Sequence, residues 1–401
     1  ARGAGSEQTG GPPHLGVRRC EALHRLVGVE AAGVRHDPQL GRSDRLRLPP
    51  GHGCETREGK LVEAITTWPE VLQADGYETR AVITNGNILS DIGFDQGWDE
   101  YRHEKDHPRS AYADARRLRQ PVVETMDKLG DGQPFLFYLH YVDPHDPYEQ
   151  HDDTDFSPEY VGAFNGSRKV VDQWNFKTPP PEGKQRIIDL YDGDILWFDH
   201  QLRLVFERLE ARGMLDSTWI VVTSDHGEGL WDHASRGHGA EVFEHQIHVP
   251  LLVRPPGGLA AAQRFDEPIS LIDVGPTVLD LIGARVPGEF EGQSWGPALR
   301  GTGEAPVRPV VVDELLNGEG EDVDLAAIID GHDKLILDQR PAHRAAWLFD
   351  LDDNPTERWE QVVDARATRN ATAARLERVL NETLADSVAG RPSGTLGFEA
   401  T

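Results

Sequence analysis

Cysteine is nearly absent: the 401-residue chain has two, Cys20 and Cys54. One pair cannot make a disulfide framework, so composition leaves the compartment unknown. No apolar run is long enough to span a bilayer, and the first residues carry no apolar leader core. Positive charge is also scarce, with Lys plus Arg at 41 against 68 Asp plus Glu, a net charge of −27. That deficit argues against nucleic acid as a partner, because a phosphate backbone demands a basic face. It also repels anionic substrates at long range, so a sulfate or phosphate ester would need locally placed cations. Two readings account for the acidity: adaptation to high salt, where screening removes self-repulsion, or an ordinary acidic soluble protein. Three Asn-x-Ser/Thr sites, at Asn165, Asn370 and Asn381, matter only on a glycosylating route.

What is present is organised around one stretch. The β-branched run 219–222 suits a strand buried on both faces, and it leads into Asp225-His226-Gly227-Glu228. Ligands of open α/β sheets sit outside the carboxyl ends of strands, and Asp plus His is a divalent-metal ligand pair. His233 and His238 follow within reach of the same pocket. Upstream, the apolar run 134–142 reads as a strand running into Asp143-Pro144-His145-Asp146-Pro147-Tyr148, a loop stiffened by two prolines. His140, inside that strand, reads as a core histidine. The segment 77–84 reads as a strand ending at the turn Asn85-Gly86-Asn87, and helices are expected over 67–74, 112–129, 186–212 and 270–281. Residues 149–183 read as a polar surface excursion.

Residues 1–48, rich in Arg, Gly and His, show no sustained period of 2 or 3.6 and are expected to be irregular and not native-like. Residues 49–301 carry the α/β core, and 302–401 a subdomain of short strands closed by a helix with Leu376, Val379, Leu380 and Leu384 on one face.

Asp-His-Gly-Glu, then Asp232-His233, Gly237-His238-Gly239 and 249–253 (Val-Pro-Leu-Leu-Val) resemble the second metal and substrate block of the sulfatase family, within the alkaline phosphatase superfamily. The loop around His145 resembles that family's His-x-x-Asp-Pro-His-x-Pro-Tyr loop, and 349–357 its C-terminal signature. The resemblance covers roughly 49–360 and implies an alkaline-phosphatase-like mixed sheet between helices, with a smaller C-terminal antiparallel sheet plus helix. It implies metal-dependent hydrolysis of a small-molecule or carbohydrate sulfate ester, with Asp225 and His226 on the metal and His145 and His238 catalytic. His233, Asn85 and Asn87 are implied to bind substrate. The two asparagines stand where many sulfatases carry lysine and histidine, which puts the substrate class in doubt. The family most often uses Ca2+; His226 shifts the balance toward Mn2+ or Zn2+, and Mg2+ also suits oxygen donors.

The paired aspartates and the Cys/Ser/Thr nucleophile that the family places ahead of Pro49 are missing, so this chain is expected to turn over slowly or not at all as written. Two alternatives follow: a phosphodiesterase or phosphonate hydrolase on the same scaffold, and a non-catalytic remnant or binding protein. Codons for Val34-Arg35-His36-Asp37-Pro38-Gln39-Leu40, read one base later, can spell Ser-Ala-Thr-Ile-Pro-Ser-Leu, which resembles the family's nucleophile helix with Thr in the nucleophile's place. Sequencing the gene is the check: codons compatible with that reading are expected, and codons that cannot yield it end the idea.

Overall fold

The computed structural model describes residues 25–31 and 61–389, apart from 62, 64, 87, 105–114, 152, 176, 234–235, 240, 259–261, 317–321, 339–344 and 365–369. Asn87 and the 34–48 segment therefore lie outside the described residues. The strands of the larger layer are β1 (Arg25–Ala31), β2 (Glu78–Ile83), β3 (Glu100–His103), β4 (Phe135–Tyr141) and β5 (Thr218–Thr223). After the hairpin of β6 (Gly229–Leu230) and β7 (Arg236–Gly237) comes β8 (Leu251–Arg254). They form a six-stranded sheet in the order β3-β2-β4-β1-β5-β8, parallel except for β8.

One expectation is corrected here. Residues 25–31, read as part of an irregular segment, form the strand between β4 and β5, paired in parallel with both. The segment offers only Leu26-Val27-Gly28-Val29, and its glycine interrupts the apolar run. Pairing on both sides, which no local pattern records, defines it as a strand.

Helices cover both faces, which is why β4 is buried along nearly its whole length. The helices are α1 (Trp68–Ala74), α2 (Ala115–Lys128), the short α3 (Arg168–Val171), α4 (Pro181–Ala211), α5 (Glu244–Ile247), α6 (Val274–Leu281) and α7 (Gly296–Leu299). On one face Leu118, Val122 and Met126 of α2, with Phe198, Val205 and Leu209 of α4, pack on Phe135, Phe137, Leu139 and Ile220. On the other, Leu72, Val278, Leu279 and Leu299 meet Leu136, Trp219 and Val221. Each such side chain contributes roughly 1.5–3 kcal/mol when fully buried. Thr67 starts α1 with a capping box: its hydroxyl accepts from the Glu70 amide (3.3 Å), and the Glu70 carboxylate accepts from the Thr67 amide (2.8 Å). Helix α4 begins five residues ahead of the expected 186, because Pro181 is preorganised for a first turn.

The second sheet holds β9 (Val310–Leu316), β10 (Asp322–Asp330), β11 (Asp333–Asp338), β12 (Ala346–Asp350) and β13 (Val363–Asp364), all antiparallel. A closing helix, α8 (Ala371–Ala389), lays Ala373, Leu376 and Leu380 on one face, and Val242 and Phe243 cover the other. The two sheets are tied by charge as well as by apolar contact. The Lys334 ammonium, fully buried on β11, meets Glu244 at 2.9 Å and Glu357 at 2.7 Å. Removing it strands two carboxylates away from water. Lys334→Met is expected to cost about 3–5 kcal/mol of unfolding free energy, measured by urea denaturation.

Candidate active site

Strands β2, β4 and β5 all point their carboxyl ends at one edge of the sheet, and each continues into residues singled out above. After β5 the chain reaches Asp225 and His226; Asp225 is buried and its carboxylate lies 3.8 Å from His226 Nε2. Gly227 then passes so close to α5 that an added Cβ would meet the His245 carbonyl at 2.2 Å, and its amide donates to the Gln246 carbonyl (2.7 Å). Only glycine fits that approach. After β4, the loop places His145, buried, with Nδ1 on Asp146: 2.5 Å from its carbonyl and 3.1 Å from its carboxylate.

Three imidazoles converge. His238, carried just past β7, stacks on His226 with centroids 3.9 Å apart and stands edge-on to His145 at 5.3 Å. Asp225, His226, His145 and His238 thus form one group, drawn from positions 80 or more apart in sequence at its extremes. Asn85 is buried at the end of β2 and lies on His140 (3.5 Å), whose other nitrogen is 3.3 Å from the Thr84 hydroxyl. His233 packs on Phe243 (4.0 Å), His245 (5.2 Å) and Trp359 (5.9 Å) instead of on the three-imidazole group.

Five further residues, Glu228, Tyr148, Asp146, Arg236 and Arg168, shape the group and carry no assigned role in the sequence reading. Glu228 Oε1 lies 3.2 Å from His238 Nδ1, and its Oε2 accepts from the Tyr148 hydroxyl (3.0 Å). Arg236, buried, donates to Asp146 Oδ2 (3.2 Å) and to the Tyr148 hydroxyl (3.2 Å). Arg168 donates to the other Asp146 oxygen (3.0 Å). The available signal was adjacency: Glu228 closes Asp-His-Gly-Glu, Asp146 and Tyr148 flank Pro147, and Arg236 precedes Gly-His-Gly. Burial pushes the Glu228 carboxyl above its ordinary value, and burial lowers His145 to about 4 despite the attraction of Asp146. His140, also buried, falls to about 3.

As a donor set, Asp225 and His226 fit a divalent cation: a buried carboxylate oxygen and an imidazole nitrogen on adjacent residues, with a spacing one ion can bridge. Among the described residues no helix is long and apolar enough to cross a membrane.

An α/β layer with its site at the carboxyl ends of parallel strands, plus a small antiparallel lobe, defines an alkaline-phosphatase-like fold. One solved structure of that kind, a complex with its substrate D-glucosamine-2-N,6-O-disulfate, superposes with a TM-score of 0.69 at 15% identity, covering 94% of this chain and 99% of the other. The phosphonate monoester hydrolase of Agrobacterium radiobacter gives a TM-score of 0.66 at 17% identity, covering 91% and 95%. The family model described as Sulfatase matches residues 49–284, more than half of the sequence, and the chain belongs to the sulfatase family. A second model, N-sulphoglucosamine sulphohydrolase, C-terminal, matches residues 239–386. The N-acetylglucosamine-6-sulfatase of Capra hircus is 28% identical over 224 residues, 51% of this chain and 39% of its own length. The chain thus spans about two fifths of that curated relative.

Because His140 is neutral when folded and takes a proton once released, its contribution to stability is present above about pH 6.5 and is lost as pH falls toward 3. His140→Gln is expected to remove that loss. Urea denaturation should show wild type losing stability relative to the variant by about 1.4 kcal/mol for each pH unit below 6.5.

Proposed function

We propose that this protein is a metal-dependent hydrolase of sulfate esters, with a sulfated carbohydrate or small molecule as substrate. The observation carrying this is the meeting of Asp225, His226, His145 and His238 at one strand edge, with Asp146 behind His145 and Glu228 behind His238. Asp225 and His226 would hold a divalent cation, with calcium favoured for its oxygen chemistry and manganese, zinc or magnesium as alternatives. When bound, that ion neutralises charge on the ester's non-bridging oxygens.

The remaining roles belong to the chain. Glu228 faces Nδ1 of His238 and would stabilise the imidazolium form of the ring, whose second proton sits on Nε2, turned away from the carboxylate. That nitrogen suits proton delivery to a leaving alkoxide. His145, kept neutral by burial and tied through Nδ1 to Asp146, leaves Nε2 as a proton acceptor. Asn85 and His233 would contact more distant parts of the substrate, as would Asn87. Residues 49–301 would carry this chemistry, and 302–401 would form a supporting subdomain. The residue that attacks sulfur is not assigned; the family places it ahead of Pro49, and little or no turnover is proposed for the chain as written.

Two measurements test this reading. Asp225→Asn is expected to abolish the divalent-cation binding that the pair supports, read by isothermal titration. The protein translated in the alternative frame over 34–48 is expected to cleave an aryl sulfate faster than the matching aryl phosphate or phosphonate. The reverse preference would sink the sulfate assignment and favour the phosphoryl-transfer alternative. Tight metal binding by the chain as written that is lost on Asp225→Asn, or rapid aryl sulfate hydrolysis by the chain as written, would overturn the low-turnover part.

A further inference from the structure

A second group of metal-ligating side chains begins with Asp143, two residues ahead of His145 in the same loop. Asp143, His151 and Asp194 each direct one donor atom into a common space, all within 4.8 Å of one another. They come from three separate parts of the fold: the end of β4, the polar excursion, and the first half of α4. Asp143 and Asp194 are buried, at 7% and 3% exposure, and His151 is nearly so at its side chain, 12% exposed.

Each donor is held in place by something other than its neighbours in the group. Asp143 Oδ2 accepts from the Ala115 amide at the start of α2 (2.8 Å). Asp194 Oδ2 accepts from the Glu149 amide (3.2 Å), leaving Oδ1 turned to His151 Nε2 (2.9 Å). The His151 ring lies flat on Trp197, with centroids 4.4 Å apart and planes 12° apart, one helical turn along α4 from Asp194. This is preorganisation of first ligands by a supporting layer, the arrangement that metal sites require.

Charge points the same way. Two ionised carboxylates with a protonated imidazole sum to −1, whereas two carboxylates, a neutral imidazole and a divalent ion sum to zero. Buried charge persists when it is paired or bound to metal.

We propose that Asp143, His151 and Asp194 form a second divalent-cation site, for a transition ion such as zinc or manganese rather than calcium. One nitrogen and two oxygens suit those ions, while calcium wants six to eight oxygens. The site would clamp the excursion onto α4 two residues from His145, and it does not depend on the ester reading.

The test uses tag-free, chelator-stripped protein carrying Asp225→Asn, so that the family's own pair is out of play. Isothermal titration with Zn2+ is expected to show one bound equivalent, with Ca2+ failing to displace it. Adding His151→Gln or Asp194→Asn should abolish that equivalent while far-UV circular dichroism is unchanged. Loading the Asp225→Asn protein with Co2+ should give a visible ligand-field band, a readout that needs no change to the three ligands. Absence of both Zn2+ binding and the Co2+ band in the Asp225→Asn protein overturns the proposal. So does Zn2+ stoichiometry that is the same with and without His151→Gln.

Discussion

Asp146 and Glu228 are carboxylates buried at the carboxyl edge of a largely parallel sheet, and the neighbourhood is arranged around keeping them there. Arg236 meets Asp146 and the Tyr148 hydroxyl, and that hydroxyl in turn meets Glu228. Such a group is stable only when complete: deleting one partner leaves an uncompensated charge in a place water does not reach. The same two carboxylates face the Nδ1 atoms of His145 and His238, so compensation of charge and aiming of the imidazoles are one arrangement. Arg236 lies on the β6–β7 hairpin and Asp146 in the loop after β4. The ion pair therefore fixes two loops against each other.

Much of the scaffold was legible in the chain because its signals are local. The apolar run of β4 and the three-to-four spacing of Phe198, Leu202, Val205 and Leu209 on α4 need no tertiary knowledge. The grouping of Asp225, His226, His145 and His238 was legible because each follows or faces a strand end, where parallel sheets gather their ligands. Strand β1 was not, since its identity comes from two flanking strands. Arg236 was not either: a lone arginine before Gly-His-Gly carries no periodicity, and its carboxylate partner is 90 residues away. His233 sits two residues past Trp231, a non-glycine residue with φ of 64°, and that turn carries it toward Phe243. Spacing alone cannot report such a turn.

The smaller sheet also contributes to the site's surroundings. Phe243 lies between the aromatic layer of Phe349 and Trp359 and the ring of His233. The backbone of α5, one residue further on, supports Gly227 beside the Asp225-His226 pair. Packing in one lobe is thus felt at the strand tip of the other through two short steps.

The buried Lys334 has a mechanical corollary. The chain crosses between the sheets at 301–308, where Val307 is 84% exposed, an inviting place for a protease. A cut there would sever one covalent thread and leave the ammonium between Glu244 and Glu357, along with the Phe243 face, undisturbed. The nicked halves would stay clasped, migrating as one particle until a denaturant let water in to the lysine.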